Sequence, residues 1–144
     1  MTIQLRRCSA EPELFDPAFT GEFAEEMAGL AKQPQVEPWC GYVAWEGRTP
    51  LGFGGFKAAP GPDGTVEIGY LTFPSATGKG VATAIACALL TIARKHGARG
   101  VLAHTLPEEN ASTRVLEKAD FQRDGWGEDP DVGAVWRWRA LFQG

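Results

Sequence analysis

Short stretches of alternating or continuous apolar residues predict seven β-strands. They cover residues 2–6, 40–46, 51–58, 65–73, 101–105, 121–126 and 132–139. Short turn-forming sequences separate the second stretch from the third and the third from the fourth. Residues 60–64, which are rich in proline and glycine, are the second of these turns. These three stretches therefore predict an antiparallel meander, and the last two predict a closing hairpin.

Apolar residues at helical spacing predict a first helix over residues 17–31. Asp16 followed by Pro17 is a favoured helix start. One face of the predicted helix then carries an apolar stripe made of Phe19, Phe23, Met27 and Leu30. A stripe of this kind forms part of a core or the wall of a substrate site.

A long apolar helix and a short capped helix are predicted in the second half of the chain. Residues 80–96 are apolar on nearly all sides, which predicts a helix buried against the sheet. Asn110 is expected to cap a short helix that ends at Ala119. Because a strand, helix, strand connection is almost always right-handed, strand 101–105 should lie parallel to strand 65–73.

Composition and charge argue against several classes of protein. The chain has 144 residues, of which 44% are hydrophobic, and it is expected to form one domain over residues 1–144. Its net charge of −4, without a basic run, argues against a nucleic-acid partner. The longest apolar stretch, residues 81–93, is shorter than the ~20 residues of a membrane span, and the first residues carry no apolar secretory segment. A cytoplasmic protein without a membrane partner is therefore expected. Three cysteines without C-x-x-C spacing indicate neither a disulfide framework nor a metal site.

A glycine turn connects strand 65–73 with the long helix. Its sequence is Thr77-Gly78-Lys79-Gly80-Val81-Ala82-Thr83. Glycines let successive backbone N–H groups converge, and a helix N-terminus carries about half a positive charge, so the turn predicts an anion site, most simply for phosphate. The sequence matches neither G-x-x-x-x-G-K-[ST] nor G-x-G-x-x-G, which argues against a nucleoside triphosphate or NAD. Taken alone, the glycines could equally do no more than shape a tight turn.

Three segments of the second half form a specific combination. They are Val66-Glu67-Ile68-Gly69-Tyr70-Leu71, Gly78-Lys79-Gly80-Val81-Ala82, and residues 107–121 with the helix Asn110-Ala111-Ser112-Thr113-Arg114-Val115-Leu116-Glu117-Lys118. This combination resembles the GNAT acetyltransferase superfamily, most closely its ribosomal-protein and amino-terminal acetyltransferases. The resemblance is good over residues 64–126, whereas residues 1–60 match only in the order of elements. It implies an α/β (α+β) acyl-CoA N-acyltransferase fold, a mixed, mostly antiparallel twisted sheet flanked by helices.

The resemblance also implies acetyl-CoA as the acetyl donor. The pyrophosphate would bind the N–H groups of residues 78–83, and the pantetheine arm would lie between the strands at 67–73 and 101–105. Asn110 would hydrogen-bond the arm, although a plain helix cap is an equal alternative. The implied cofactor-binding residues are Leu71, Thr72, Phe73, Thr77, Gly78, Lys79, Gly80, Val81, Ala82, Thr83, Asn110 and Ser112.

The chain departs from the family pattern at three positions. Thr77 replaces a usual Gln or Arg, so a contact to the pyrophosphate worth roughly 1 to 3 kcal/mol is missing unless Lys79 or Arg114 compensates. Leu116 stands where many members have the tyrosine that protonates the departing thiolate, and no general acid is assigned. Asp120 replaces a glycine that ends the helix, which predicts a strained left-handed residue.

Acetyl transfer to an amine requires a proton acceptor, and two residues are candidates. Glu67 is the first, because it lies on the strand beside the expected acetyl group. It would have to act through water, or burial would have to raise its pKa. A structural Glu is an equally weighted alternative. His104, whose side chain ordinarily titrates near pH 6.5, is the second candidate base.

Other chemistry-bearing residues are expected to be structural. Cys87 is expected to pack in the core, which makes a covalent acetyl-cysteine route unfavourable. Trp136 and Trp138 share one face of the last strand and are expected in the core. Arg137 and Arg139, on the opposite face, are expected to be solvated.

The sequence therefore predicts an N-acetyltransferase that moves an acetyl group from acetyl-CoA to a primary amine by direct attack. The acceptor could be a protein N-terminus, a lysine or a small-molecule amine, and residues 10–40 and 124–133 are expected to select it. An alternative is a non-catalytic acyl-CoA-binding sensor or regulatory protein on the same fold. A third hypothesis, a nucleotide-binding regulatory domain, uses the glycine turn alone. The resemblance also allows a homodimer.

Overall fold

Seven strands form one sheet in the part of the chain that this computed structural model describes, residues 3–8, 12–31 and 36–142. The strands are β1 (Gln4–Arg7), β2 (Gly41–Glu46), β3 (Thr49–Phe56), β4 (Thr65–Thr72), β5 (Gly100–Thr105), β6 (Gln122–Asp129) and β7 (Gly133–Leu141). Their order across the sheet is β1-β2-β3-β4-β5-β7-β6. Only the β4–β5 pair is parallel. The mixed sheet, the meander, the parallel pair and the closing hairpin are thus confirmed.

Four α-helices accompany the sheet within the described ranges. They are α1 (Pro17–Thr20), α2 (Ala24–Ala31), α3 (Val81–Lys95) and α4 (Ala111–Lys118). The helices α3 and α4 match the two helices predicted in the second half of the chain to within a residue or two at each end. No helix in the described ranges is long and apolar enough to cross a bilayer.

The first predicted helix is broken, so the prediction of one continuous helix over residues 17–31 is wrong. A 3₁₀ turn at Gly21–Phe23 separates α1 from α2. Gly21 has a φ of 59°, and a Cβ there would lie 2.8 Å from Cγ of Pro74. The chain therefore bends at a glycine where it packs directly on the loop after β4.

Two clusters of buried residues lie on opposite faces of the sheet. On one face, Ile85 and Leu89 of α3 pack over β3 and β4, where glycines at 52 and 54 let the helix approach closely. On the other face, Met27 of α2 is fully buried with Val43, Trp45 and Phe73. From the predicted stripe, Met27 thus belongs to the core, and Phe23 packs against it half-buried.

The long helix α3 is buried against the sheet, as expected, although only one of its faces is buried. Val81, Ile85, Ala86, Leu89 and Ala93 are buried, whereas Cys87 and Thr91 are exposed. Cys87 is therefore a surface residue, not a core residue. The small, weakly apolar residues of this helix lose little free energy when they face water, and their hydropathy alone does not identify the buried face.

The end of α4 contains the predicted left-handed residue. Asp120 has a φ of 65° and is the one non-glycine residue with positive φ in the described ranges. Phe121 N–H donates to Leu116 C=O (2.9 Å), and Asp120 N–H donates to Glu117 C=O (3.1 Å). This pair of bonds is a Schellman motif, in which glycine is the favoured residue at the left-handed position.

We expect Asp120→Gly to raise the melting temperature by about 2 to 6 °C, since it relieves a left-handed strain of about 1 kcal/mol. Asp120→Ala is the matched control, because it removes the same charge but keeps a Cβ. Thermal unfolding of the three proteins separates backbone strain from charge. A melting temperature that is unchanged or lower in Asp120→Gly would contradict the strain.

Candidate active site

Strands β4 and β5 separate soon after they begin, which opens a gap in the middle of the sheet. Their register runs through Thr65–Gly100, Val66–Val101 and Glu67–Leu102, and it stops there although β4 continues to Thr72 and β5 to Thr105. Every second β4 residue after Glu67, namely Ile68, Tyr70 and Thr72, thus presents unused backbone groups to the gap, while the others bond to β3. An extended polar chain could bind there as an added strand. Of Leu71, Thr72 and Phe73, whose backbone was expected to pair with the pantetheine arm, Thr72 directs its backbone groups to this gap. Phe73 N–H instead donates to Leu51 C=O (2.9 Å), and Phe73 C=O accepts from Ala76 N–H (2.9 Å).

The glycine turn lies at the start of α3 and has the shape of an anion cradle. Gly78 and Gly80 have φ values of 79° and 76°, and a Cβ at either position would meet no atom within 4 Å. The first helical bond of α3 runs from Ala84 N–H to Gly80 C=O (3.1 Å), and no side chain caps the helix. The N–H groups of Val81, Ala82 and Thr83 are therefore left to an outside acceptor.

Side chains contribute little to this cradle. Thr77 and Lys79 are exposed, and the Thr77 hydroxyl donates to Pro74 C=O (3.3 Å) rather than pointing at the turn. Arg114 is exposed on α4. The open glycines and the free N–H groups fit the pyrophosphate of acetyl-CoA, which would be held mainly by the backbone.

The first turn of α4 combines a cap with a contact to β4. Thr113 N–H donates to Asn110 Oδ1 (3.0 Å), and Asn110 N–H donates to Thr113 Oγ1 (2.9 Å). The helix-cap alternative for Asn110 is thus confirmed, while its contact to a cofactor stays a prediction. Ser112 is half-buried, and both its Oγ and its C=O lie 3.2 Å from the hydroxyl of Tyr70.

The two candidate bases are in direct contact. Glu67 Oε2 lies 3.0 Å from His104 Nδ1 and 3.0 Å from Lys57 Nζ. About one third of the Glu67 side chain and a quarter of the His104 side chain are exposed, so the pair faces solvent at the edge of the gap. Lys57, which follows β3, had given no signal in the sequence, because a lone lysine after a strand is usually solvated.

The contacts of Glu67 decide its charge. Desolvation by burial would raise its pKa, but hydrogen bonds from Lys57 and His104, together with the charges of those two groups, outweigh burial and hold the pKa below its ordinary value. Burial therefore does not turn Glu67 into a strong base. An ionised Glu67 instead accepts a hydrogen bond from Nδ1–H of His104, which leaves Nε2 as the basic nitrogen of the neutral ring.

Gly127 on β6 makes room for the histidine ring. A Cβ at this position would lie 2.7 Å from His104 Nε2 and 2.8 Å from Cδ2. Any larger residue would push the ring away from its place beside Glu67. Sequence reasoning missed this glycine, because nothing in the local sequence places it against a residue 23 positions earlier.

The two arginines of β7 are not simply solvated. Arg137 Nε donates to Asp124 Oδ1 (2.9 Å). Arg139 Nε lies 3.0 Å from Asp124 Oδ2, an ion pair that is not aligned as a hydrogen bond. Each side chain is about one third exposed. On the other face of β7, Trp138 is buried as expected and donates from Nε1 to Thr105 Oγ1 (3.0 Å).

A cavity of about 430 Å³ opens beside the Glu67–His104 pair. Lys57 and Gly69 belong to its lining, and both adjoin Glu67. Of the two segments expected to select an acceptor, residues 10–40 contribute to this lining and residues 124–133 do not. Residues 9–11 and 32–35 lie outside the described part of the chain.

Known proteins share this architecture. The sequence profile described as Acetyltransferase (GNAT) domain matches residues 4–122. No curated protein matches the sequence. Among solved structures, a GNAT-family acetyltransferase from Bacillus anthracis superposes with a TM-score of 0.80 at 17% identity, over 98% of this chain and 95% of that one. The aminoglycoside acetyltransferase AAC(6')-Ib in complex with coenzyme A gives 0.74 at 20% identity, over 97% and 95%. The ribosomal L7/L12 α-N-protein acetyltransferase RimL, in complex with coenzyme A, gives 0.63 at 20% identity, over 70% and 60%.

Proposed function

The chain belongs to the GNAT acetyltransferase family, and on that premise we propose that this acetyl-CoA-dependent enzyme transfers the acetyl group to a primary amine by direct attack. The observation that carries the proposal is the Glu67–His104 pair at the edge of the gap between β4 and β5. The backbone anion cradle follows the end of β4, and a cavity lined by Lys57 and Gly69 adjoins Glu67. A donor and an acceptor can therefore both lie close to this pair.

The donor site is built mainly from backbone. We assign the pyrophosphate to the cradle of Gly78 to Thr83 and the pantetheine arm to the gap, where it adjoins Leu71, Thr72 and Phe73. Ser112 lies across the gap and can hydrogen-bond the arm. When bound there, acetyl-CoA supplies an activated acetyl group on a thioester sulfur.

His104 is the proposed proton acceptor, and Glu67 is its positioning residue. An amine attacks only in its neutral form, so a proton must leave it before or during the reaction. The carboxylate of Glu67 holds Nδ1–H of His104 at 3.0 Å and favours the imidazolium that forms when Nε2 takes up that proton. Lys57 keeps Glu67 ionised and therefore sustains this polarisation.

Tyr70 is the proposed proton donor to the departing sulfur. Its hydroxyl extends from β4 to the first turn of α4, where it contacts Ser112. Burial raises the pKa of Tyr70, so the phenol stays protonated at neutral pH and can donate. Leu116 stands where many members of the family have a tyrosine. It is fully buried, and its hydrocarbon side chain cannot donate a proton.

We expect Tyr70→Phe to lower kcat about tenfold at neutral pH without changing the Kd for acetyl-CoA. The effect is modest because a thiol with a pKa of about 8.5 already leaves readily as the thiolate. The loss should shrink as the pH rises above that value, since protonation then matters less. Steady-state rates from pH 6 to about 10 test this dependence. A loss that stays constant with pH would indicate a structural role instead.

The proposed function is tested by two measurements on the purified protein. Calorimetric titration with acetyl-CoA, CoA and ATP measures donor binding, and release of free CoA thiol in the presence of a panel of amines measures turnover. We expect micromolar binding of acetyl-CoA, weaker binding of ATP, and amine-dependent thiol release. Binding without turnover for any amine would favour the non-catalytic acyl-CoA-binding alternative, and a folded protein that does not bind acetyl-CoA would overturn the proposal.

A further inference from the structure

Lys57 places a primary amine of the protein itself beside the reacting pair. Its backbone N–H donates to Glu67 C=O (2.9 Å), one position beyond the register pair Phe56–Ile68, so Lys57 and Glu67 lie opposite each other on neighbouring strands. Their side chains therefore share one face of the sheet. Lys57 Nζ and His104 Nδ1 each lie 3.0 Å from the same oxygen, Glu67 Oε2. The two nitrogens are thus no further apart than the sum of those two distances.

The side chain of Lys57 extends along β4 towards the place where the donor arm would end. A Cβ built on Gly69 would lie 3.7 Å from Lys57 Cε, so the aliphatic chain of Lys57 passes over Gly69. Strands β4 and β5 pair as far as Glu67 and separate beyond it. An arm that enters the gap from the glycine turn therefore points its acyl end towards Glu67. Lys57 Nζ lies beside this closed end of the gap.

Lys57 is also free to leave its ion pair. The side chain is 58% exposed and lines the cavity beside Glu67. An ion pair with so exposed a partner contributes little free energy, so its loss costs little. Rotation about the terminal bonds of the side chain can turn Nζ from the carboxylate towards the gap while the backbone stays in place.

We propose, on the basis of the proposed acetyltransferase function, that Lys57 is a self-acetylation site: in the absence of another amine, the enzyme transfers the acetyl group to its own Lys57. The ammonium group first loses a proton, through Glu67 and water, to His104 Nε2. The neutral Nζ then attacks the thioester carbonyl carbon, so that an N–C bond forms and the C–S bond breaks. Of the two protons that Nζ loses in all, one ends on the sulfur of the CoA thiol, and the other is released to water.

The product of this reaction is an amide, which neither attacks a second thioester nor carries a positive charge. Self-acetylation at Lys57 is therefore limited to one acetyl group per molecule. It also removes the cation from Glu67 Oε2, which leaves His104 as the remaining partner of that oxygen among the contacts described above.

Peptide mapping by mass spectrometry measures the acetylated fraction at each lysine before and during incubation of the purified protein with acetyl-CoA and no added amine. Lys95 and Lys118 are matched internal controls, because both are exposed and lie near the ends of α3 and α4. We expect Lys57 to be acetylated at least about tenfold faster than either control, since it alone of the three adjoins the reacting pair. At saturating acetyl-CoA the rate per molecule should not change when the protein is diluted, because the acceptor belongs to the same molecule.

Two variants show whether the site itself carries out the step. His104→Asn should slow the acetylation of Lys57 at least about tenfold and leave the slow chemical acetylation of Lys95 and Lys118 unchanged. Lys57→Arg keeps a cation beside Glu67 but offers no lysine amine. In this variant neither control lysine should reach the rate that Lys57 has in the wild type.

The outcomes separate the two proposals. If the wild type binds acetyl-CoA and acetylates an added amine but modifies Lys57 no faster than Lys95 and Lys118, self-acetylation is overturned and the acetyltransferase function stands. Equal acetylation of Lys57 in the wild type and in His104→Asn would likewise overturn it, because the modification would then be ordinary chemistry of an exposed amine. Failure of the wild type to bind acetyl-CoA would overturn the function itself, and self-acetylation with it.

Discussion

The Gly80→Glu variant is expected to lose acetyl-CoA binding, with a Kd at least about 100-fold weaker than that of the wild type. Gly80 lies in the cradle directly before the first turn of α3, where the space around its α-carbon is open and the N–H groups of the first helical turn are free. A carboxylate placed there would occupy the anion site and repel the pyrophosphate. Calorimetric titration of acetyl-CoA into both proteins measures the difference.

Two controls isolate the carboxylate from backbone strain. Gly47, in the turn between β2 and β3, has a φ of 60° and open space around it, so Gly47→Glu carries the same charge and a similar left-handed strain outside the cradle. Gly80→Asn keeps a residue that tolerates the left-handed conformation and adds no charge. Both should bind acetyl-CoA much better than Gly80→Glu. Wild-type binding by Gly80→Glu would refute the placement of the pyrophosphate.

The second large effect is expected for His104→Asn, which should lower kcat/KM by about 10² to 10³. Asparagine can still donate to Glu67, so the ion pair with Lys57 persists, but it offers no basic nitrogen. Steady-state rates of both proteins at saturating acetyl-CoA measure the difference.

Glu67→Gln separates the positioning role from the catalytic one. Because the pKa of Glu67 is held below its ordinary value, Glu67 stays ionised through the neutral range, and Glu67→Gln removes that charge but leaves the basic nitrogen of His104 in place. The variant should therefore lose about tenfold in kcat, less than His104→Asn. An unchanged Kd for acetyl-CoA would show that the donor site is intact in both variants. Wild-type rates in His104→Asn would rule out this histidine as the proton acceptor.

The sequence predicted those parts of the fold that local patterns determine. The meander and the Asn110 cap follow from a few neighbouring residues, the parallel partner of β4 follows from the right-handed crossover, and the left-handed Asp120 follows from the family resemblance; all four were confirmed. The break of the first helix at Gly21 could not be predicted from neighbouring residues, because it depends on the approach of Pro74 from a distant segment. The exposure of Cys87 could not be predicted either, because the hydropathy of a helix made mostly of small residues does not identify its outer face.

The candidate site divides in the same way. The glycine turn could be located from its letters, and Glu67 and His104 could each be named as candidates from their strands. Their contact could not be predicted, because it depends on the register between β4 and β5. Lys57 and Gly127 reach the pair from two further strands, and their roles become visible only when the sheet is assembled.

The early separation of β4 from β5 leaves an unpaired strand edge inside the sheet instead of at its border. Exposed strand edges are templates on which other chains can add and aggregate. A donor that lies along this edge would cover it, and at about 100 times its Kd it would also stabilise the fold by about 2.7 kcal/mol through mass action. The supply of acetyl donor would then govern how well this protein resists aggregation, quite apart from how fast it works.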